Sequence, residues 1–158
     1  MIHLAVDRRY QNSHIEEKVR QAAVVTLARQ GIDPQRELCL VITGDRKLKE
    51  LNTQFRGEAH ATDVLSFPAG ESNSGLTPGY LGDVAISMPR ARAQAKIEGH
   101  SLVEELQLLT VHGVLHLLGH DHGDPQEKSR MWAAQDAILK QLGASIKSPH
   151  SNSPGSGA

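Results

Sequence analysis

The 158-residue chain holds one cysteine, Cys39. No intrachain disulfide and no paired-cysteine redox motif can form. Cys39 lies in an apolar run and reads as a buried strand residue. Aromatic side chains are scarce too, at 3%: Tyr10, Phe55, Phe67, Tyr80 and Trp132. A protein that holds single-stranded nucleic acid by stacking bases on successive rings needs more of them. Neither sign of charge is in excess, since 17 basic residues meet 18 acidic ones for a net charge of −1. That excludes coating of nucleic acid through positive charge alone, while leaving room for a local basic patch. No apolar run reaches the roughly 20 residues of a membrane span. The segment from Met1 to Asp7 is too short and polar for a signal peptide. These absences suit a cytoplasmic protein with no membrane partner. What remains, 39% hydrophobic and 22% charged residues, is ordinary for one domain with a sizeable core.

Histidine is what the chain concentrates. The run His112-Gly-Val-Leu-His116-Leu-Leu-Gly119-His120-Asp121-His122 holds four of its nine histidines. Residues four apart on a helix stand on one face, with roughly 5–6 Å between Cβ atoms. His112 and His116 can therefore share one metal ion. Gly119 permits the left-handed residue that ends a helix, so the chain can turn back and bring up a third imidazole. His120 also follows His116 by four. Each such step drifts about 40° around a helix of 3.6 residues per turn, which points a helical His120 away from His112. The preferred ligand set is His112, His116 and His122, with His120 outside it. Three neutral imidazoles leave the fourth position of a tetrahedral Zn²⁺ open, as catalytic sites do.

Zinc peptidases place a glutamate directly after the first histidine, where it takes a proton from the activated water. Here that position is Gly113, although the spacing H-x-x-x-H-x-x-G-x-x-H is that of the longer peptidase pattern. The ligand cradle is peptidase-like and the chemistry is not. A substrate that reacts by charge stabilisation, such as a phosphodiester, fits better.

The remaining pattern predicts a strand at Ile2–Val6 and a helix opened by a capping box, Ser13-x-x-Glu16. That helix closes at Gly31. A buried strand follows at Leu38–Thr43. Asp45 is read as the cap of a second helix through Leu48, Leu51 and Phe55, which leaves at Arg56-Gly57. Strands at Val64–Phe67 and Leu81–Ser87 flank a Gly/Ser-rich stretch over 69–80 that reads as a surface loop. Pro89 starts a third helix that ends near Gly99. Ser101-x-x-Glu104 is a second capping box, and the helix after it is apolar nearly all round, as a helix at the centre of a domain is. Asp124-Pro125-Gln126-Glu127 opens a last helix, with Trp132, Ala133, Ala137 and Leu142 read as its core face and Gly143 as its end. The order β-α-β-α-β-β-α-α-α predicts an α+β domain with a mixed four-stranded sheet and about five helices. Its metal site rides on the buried central helix. The domain spans 1–145, and the Ser/Pro/Gly-rich tail 146–158 reads as disordered.

Arg56, at a helix exit before a glycine turn, can project into a cleft and grip phosphate with two parallel hydrogen bonds. It can equally cap the carbonyls of its own helix. Asp63 and Asp83 are open to two readings: partners that orient the imidazoles, or caps of turns and neighbouring backbone. Lys47, Lys49, Arg90, Arg92 and Lys96 read as solvated helix faces, with a basic RNA track among them as the alternative.

Four stretches carry a resemblance: Asn52-Thr-Gln-Phe-Arg56-Gly57, Thr62-Asp-Val-Leu-Ser-Phe-Pro68, Leu81-Gly-Asp-Val-Ala-Ile-Ser87 and the histidine run. In order and spacing they resemble the YbeY endoribonucleases, over about residues 1 to 145. The resemblance implies a zincin-like fold with one Zn²⁺ on His112, His116 and His122. It implies that Arg56 is the family's important arginine. It implies cleavage of single-stranded RNA in maturation of the 16S rRNA 3′ end and in ribosome quality control. The implied partners are rRNA, the small ribosomal subunit and an assembly GTPase. On that reading Arg56 and the metal ligand His112 carry the reaction. Zinc lowers the pKa of a water to roughly 7 or polarises a phosphoryl oxygen, and Arg56 steadies the charge that builds on phosphorus. The rival is an assembly factor that binds rRNA without cutting it, with the metal acting as a staple.

Overall fold

The computed structural model describes residues 1–57, 62–69 and 79–146. Four strands form one sheet: β1 (Ile2–Val6), β2 (Glu37–Thr43), β3 (Val64–Pro68) and β4 (Tyr80–Ser87). Their spatial order is β1-β2-β4-β3. β1, β2 and β4 are parallel, with Leu4 opposite Leu40 and Leu40 opposite Val84, and β3 runs antiparallel to β4 with Val64 opposite Ile86. β3 is an edge strand, which is why Pro68 can sit within it rather than beyond it. The helices are α1 (Ser13–Arg29), α2 (Asp45–Arg56), α3 (Met88–Glu98), α4 (Leu102–Leu117) and α5 (Pro125–Gln141). A short 3₁₀ turn at Arg8–Tyr10 links β1 to α1. The predicted α+β class, element order and mixed sheet all stand.

Alternation along the strands sends residues to two faces. Leu38, Leu40 and Ile42 of β2, with Val84 and Ile86 of β4, pack with Val19, Ala23 and Leu27 of α1 and Leu106, Leu109 and Val114 of α4. Val41, Leu65, Phe67 and Ala85 face the other way and pack on Leu48, Leu51 and Phe55 of α2. α5 covers the outer side of α4 through Val111, Leu115, Met131, Ile138 and Leu139. The apolar helix α4 is thus enclosed between sheet and α5, the central position its composition predicted. Packing continues past α5, since Ile146 joins that last cluster and the Ser145 N–H donates to Glu104 Oε2 at 3.0 Å.

Four local readings need correction. The cap of α1 is Asn12: its Oδ1 accepts the Ile15 N–H at 3.0 Å, and its own N–H donates to Glu16 Oε2 at 2.9 Å. Asparagine competes as well as serine for that role, so the box shifts back by one residue. Gly44 caps α2, and Asp45 is its first residue. Cys39 is half-buried, on the α2 side of the sheet. The fully buried stripe of α5 is Met131, Gln135, Ile138 and Leu139; of the predicted core face, Trp132 and Leu142 pack against it half-buried, while Ala133 is exposed. The polar Gln135 hides that stripe from a reading of apolar spacing. The predicted loop at 70–78 and the tail at 147–158 lie outside the described residues.

Two glycines let α4 seat on the sheet. Gly82 has φ +136°, and a Cβ there would lie 2.3 Å from the Phe67 carbonyl oxygen and 2.9 Å from Leu117 Cδ1. At Gly113 a Cβ would lie 2.6 Å from Val84 Cγ1 and 3.1 Å from Val64 Cγ2. The Ser66 hydroxyl closes the contact by donating to the Gly113 carbonyl at 2.7 Å.

Candidate metal centre

α4 begins with the capping box read from sequence: Ser101 Oγ accepts the Glu104 N–H at 3.1 Å, and Glu104 Oε1 accepts the Ser101 N–H at 3.2 Å. Its last two turns carry His112 and His116. The helix ends in a Schellman arrangement around Gly119 at φ +102°. The His120 N–H donates to the Leu115 carbonyl and the Gly119 N–H to the His116 carbonyl, both at 3.0 Å. The reversed chain then brings His122 back against the helix. Its N–H donates to Asp121 Oδ1 at 2.7 Å, and Asp124 caps α5 two residues later.

The three imidazoles converge. Ring centroids are 4.8 Å apart for His112 and His116, 5.1 Å for His116 and His122, and 5.7 Å for His112 and His122. One nitrogen from each lies within 4.8 Å of the other two, an arrangement that can hold a metal ion. All three Nε2 atoms are buried, and those of His112 and His122 make no hydrogen bond. A buried polar nitrogen with no partner is costly and calls for an explanation. A divalent cation of borderline softness, which takes neutral imidazole nitrogen readily, supplies one. The donor set therefore fits the implied metal. Among the described residues no fourth His, Cys, Asp or Glu joins the group.

Electrostatics prepare the donors. His112 is 7% exposed. Burial pushes its pKa down from 6.5 to about 4, the nearby His116 adds to the shift, and a hydrogen bond to Gln135 partly opposes it. The ring is neutral at pH 7, as a ligand must be. That hydrogen bond joins His112 Nδ1 to Gln135 Oε1 at 2.9 Å. Trp132, one turn earlier on α5, lies 5.8 Å from the His112 ring and 5.7 Å from the His122 ring. His116 and His122 are half-buried as residues, with their Nε2 atoms turned inward.

Other predicted residues go elsewhere. His120 points away from the cluster and bonds through Nε2 to Gln30 Oε1 at 2.7 Å. Asp63 is half-buried, and its carboxyl accepts from neighbouring backbone and from the Thr62 hydroxyl at 3.4 Å. Asp83 accepts from the Tyr80 hydroxyl. Asp63 therefore follows its turn-and-backbone reading, whereas Asp83 takes a side-chain partner from its own strand, and burial raises the pKa of each. Arg90 pairs with Asp45 at 3.4 Å, and Arg92 lies over the Tyr10 ring at 5.4 Å. Lys47, Lys49 and Lys96 are exposed.

Arg56 is the last residue of α2, and Gly57 leaves the helix in the left-handed region at φ +70°. Its backbone can be placed, while its side chain lies outside the described structure. The preceding Phe55 packs on Phe67 of β3 at 5.1 Å. On the opposite face Leu117, which follows His116, abuts Gly82, and Gly82 pairs with Pro68 next to Phe67. Arg56 and His116 thus sit at the same end of the sheet, on opposite faces, beside edge strand β3.

Sequence reasoning missed Gln135 and the proximity of Trp132. A polar residue in an i, i+4, i+7 apolar stripe was the available signal for Gln135. It shows only when the true phase of α5 is known.

The fold and the cluster define an α+β protein with a three-histidine centre on a buried helix and the turn after it. The chain belongs to the YbeY family: the family model described as Endoribonuclease YbeY matches residues 3–143. It is 36% identical over 149 residues to the Endoribonuclease YbeY of Alkaliphilus metalliredigens, covering 90% of this chain and 96% of that one. It is 44% identical over 131 residues to that of Chloroflexus aggregans, covering 79% and 86%. The solution structure of TM1509 from Thermotoga maritima shares the fold at a TM-score of 0.60 and 20% identity, covering 98% of this chain and 99% of that one.

Proposed function

We propose that the chain is a zinc-dependent endoribonuclease that cuts single-stranded RNA during 16S rRNA 3′-end maturation and ribosome quality control. The observation that carries the reading is the convergence of three imidazoles with no acid or thiol completing the set among the described residues. Structural zinc sites close themselves with four protein ligands, and catalytic sites keep one position free. When bound, zinc supplies Lewis-acid polarisation and a lowered pKa for water. His112, held neutral by burial, offers its Nε2 without first losing a proton. His116 and His122 supply the other two imidazole donors. Arg56 grips the scissile phosphate and offsets the charge that develops there, acting from the same end of the sheet as the histidines. Residues 1–145 form the catalytic unit. The setting is the cytoplasm, with the small ribosomal subunit and an assembly GTPase as partners. No helix among the described residues is long and apolar enough to cross a membrane.

The rival is the assembly factor that binds rRNA without cutting it. The near-neutral charge and scarce aromatics favour it. That no fourth protein ligand joins the three histidines among the described residues counts against it. A peptidase requires a base that Gly113 cannot provide, because Val84 and Val64 fill the space a side chain there would need.

The test incubates purified protein with precursor rRNA and sequences the product ends. Metal-replete wild type is expected to cleave and the chelated sample to stop. Arg56→Ala is expected to keep metal and fold while losing about 10²–10³ in rate, as when one preorganised donor is removed. Cleavage at wild-type rate by metal-replete Arg56→Ala would remove the arginine from the mechanism. No cleavage by the metal-replete wild type would leave the assembly factor.

A further inference from the structure

Gln135 is 1% exposed, and it is the one polar side chain among the buried residues of α5. Its neighbours on the stripe, Met131, Ile138 and Leu139, are all fully buried and apolar. A leucine would complete that stripe and cost nothing in desolvation. A glutamine there is tolerable only if its amide is hydrogen-bonded, since a buried unpaired amide gives up its hydration for nothing. The bond it makes is directional. Oε1 can only accept, so the His112 Nδ1 facing it at 2.9 Å must carry the ring proton. A neutral imidazole has one N–H, and placing it on Nδ1 leaves the Nε2 lone pair bare. Nε2 is the buried atom of His112 that has no hydrogen-bond partner.

We infer that Gln135 is the positioning residue of the metal centre. It selects the His112 tautomer whose Nε2 faces His116 and His122, and it locks the ring plane. This inference rests on the metal-binding reading of the three histidines. Outer partners of metal-bound imidazoles are commonly carboxylates or backbone carbonyls. A neutral amide does the same orienting work without adding a negative charge beside a phosphodiester substrate. The device also ties the metal to the packing of α5 on α4. Met131, Ile138 and Leu139 hold the helix that carries the amide, so the ring is oriented by a rigid element rather than by a loop.

The measurement is the affinity of the whole chain for Zn²⁺, read without RNA. The chain has one tryptophan, Trp132, and it lies within 6 Å of two of the three rings. Its fluorescence under Zn²⁺ titration, in competition with a chelator of known affinity, reports binding directly. Gln135→Leu preserves the apolar stripe and the volume but removes the acceptor. It is expected to weaken Zn²⁺ about 10–100-fold, with the thermal transition of the metal-free protein retained. Gln135→Glu keeps an acceptor at the same place and is expected to bind at least as tightly as wild type. Zinc affinity in a folded Gln135→Leu protein equal to that of wild type would overturn the inference. So would Gln135→Glu binding as poorly as Gln135→Leu. A wild type that takes up no metal would instead overturn the metal-binding reading beneath it. Should Gln135→Leu fail to fold, Gln135→Met serves the same comparison, and the Glu variant still discriminates.

Discussion

Replacing Gly113 by alanine adds one methyl group, and the backbone fixes where it goes. The new Cβ would lie 2.6 Å from Val84 Cγ1 and 3.1 Å from Val64 Cγ2. Val84 is 0% exposed and Val64 3%, so Val84, held in the middle of the sheet, has nowhere to retreat. Two effects compete. Alanine is a better helix former than glycine by about 0.8–1 kcal/mol. Overpacking a close-fitted core costs about 1–3 kcal/mol, and a contact this short belongs at the upper end. Any slide of α4 that relieved it would also stretch the 2.7 Å bond from Ser66 to the Gly113 carbonyl. The net expectation is a loss of about 1–2 kcal/mol, or roughly 2–8 °C in Tm for a chain of this size. Val84→Ala removes the obstructing methyl group. In that background Gly113→Ala should change sign, because the helix-propensity gain survives while most of the clash is gone. A double-mutant cycle by urea denaturation, with a coupling energy of about 2 kcal/mol, would register this. Gly113→Ala as stable as the parent in the Val84 background would show that α4 does not lie on the sheet as described. It would also reopen position 113 to a side chain, and with it the peptidase reading.

His116→Ala is expected to lose the bound metal while the sheet and α5 remain folded, because His116 is half-buried at the helix end. Metal analysis of the purified variant checks this, and full occupancy would mean the ligands are others. In metal-free protein the His112 imidazole should stay neutral down to about pH 4, followed by ring-nitrogen NMR. Its folded pKa lies below the value of 6.5 for the unfolded chain, so the unfolded state binds more protons between the two. The stability linked to this group is therefore intact above pH 6.5 and is lost as pH falls through about 4. The total is about 3 kcal/mol at roughly 1.4 kcal/mol per unit. Comparison with His112→Asn isolates the effect from half-buried Asp63 and buried Glu105, whose raised values act in the opposite direction. A His112 ring that titrates near 6.5 would contradict its burial.

Much of this molecule is written in short-range patterns. The turn of α4 stacks His112 on His116, and a glycine is needed at 119 for the left-handed residue that reverses the chain. Those are effects within eleven residues, so the ligand trio is legible before any fold is known. The order of strands and helices is equally local, since capping residues and alternating or helical apolar spacing mark each boundary to within a residue or two. Asn12 and Asp45 show the limit of that accuracy, because neighbouring polar residues compete for a cap with nearly equal energies. Contacts between distant segments carry no such mark. Gly113 reads as a missing base until Val84 and Val64, far away in the chain, are seen to occupy its space. Gln135 draws no reading at all until α5 is docked and its amide meets His112, 23 residues earlier. Arg56 reads equally as a cleft arginine or as a cap of its own helix, and only the packing of α2 puts its backbone at the histidine end of the sheet and across it from α4. Hydrogen-bond geometry along one helix is set by its own residues. Which side chains share a buried volume is set by the sheet that brings remote segments within a few ångströms of each other.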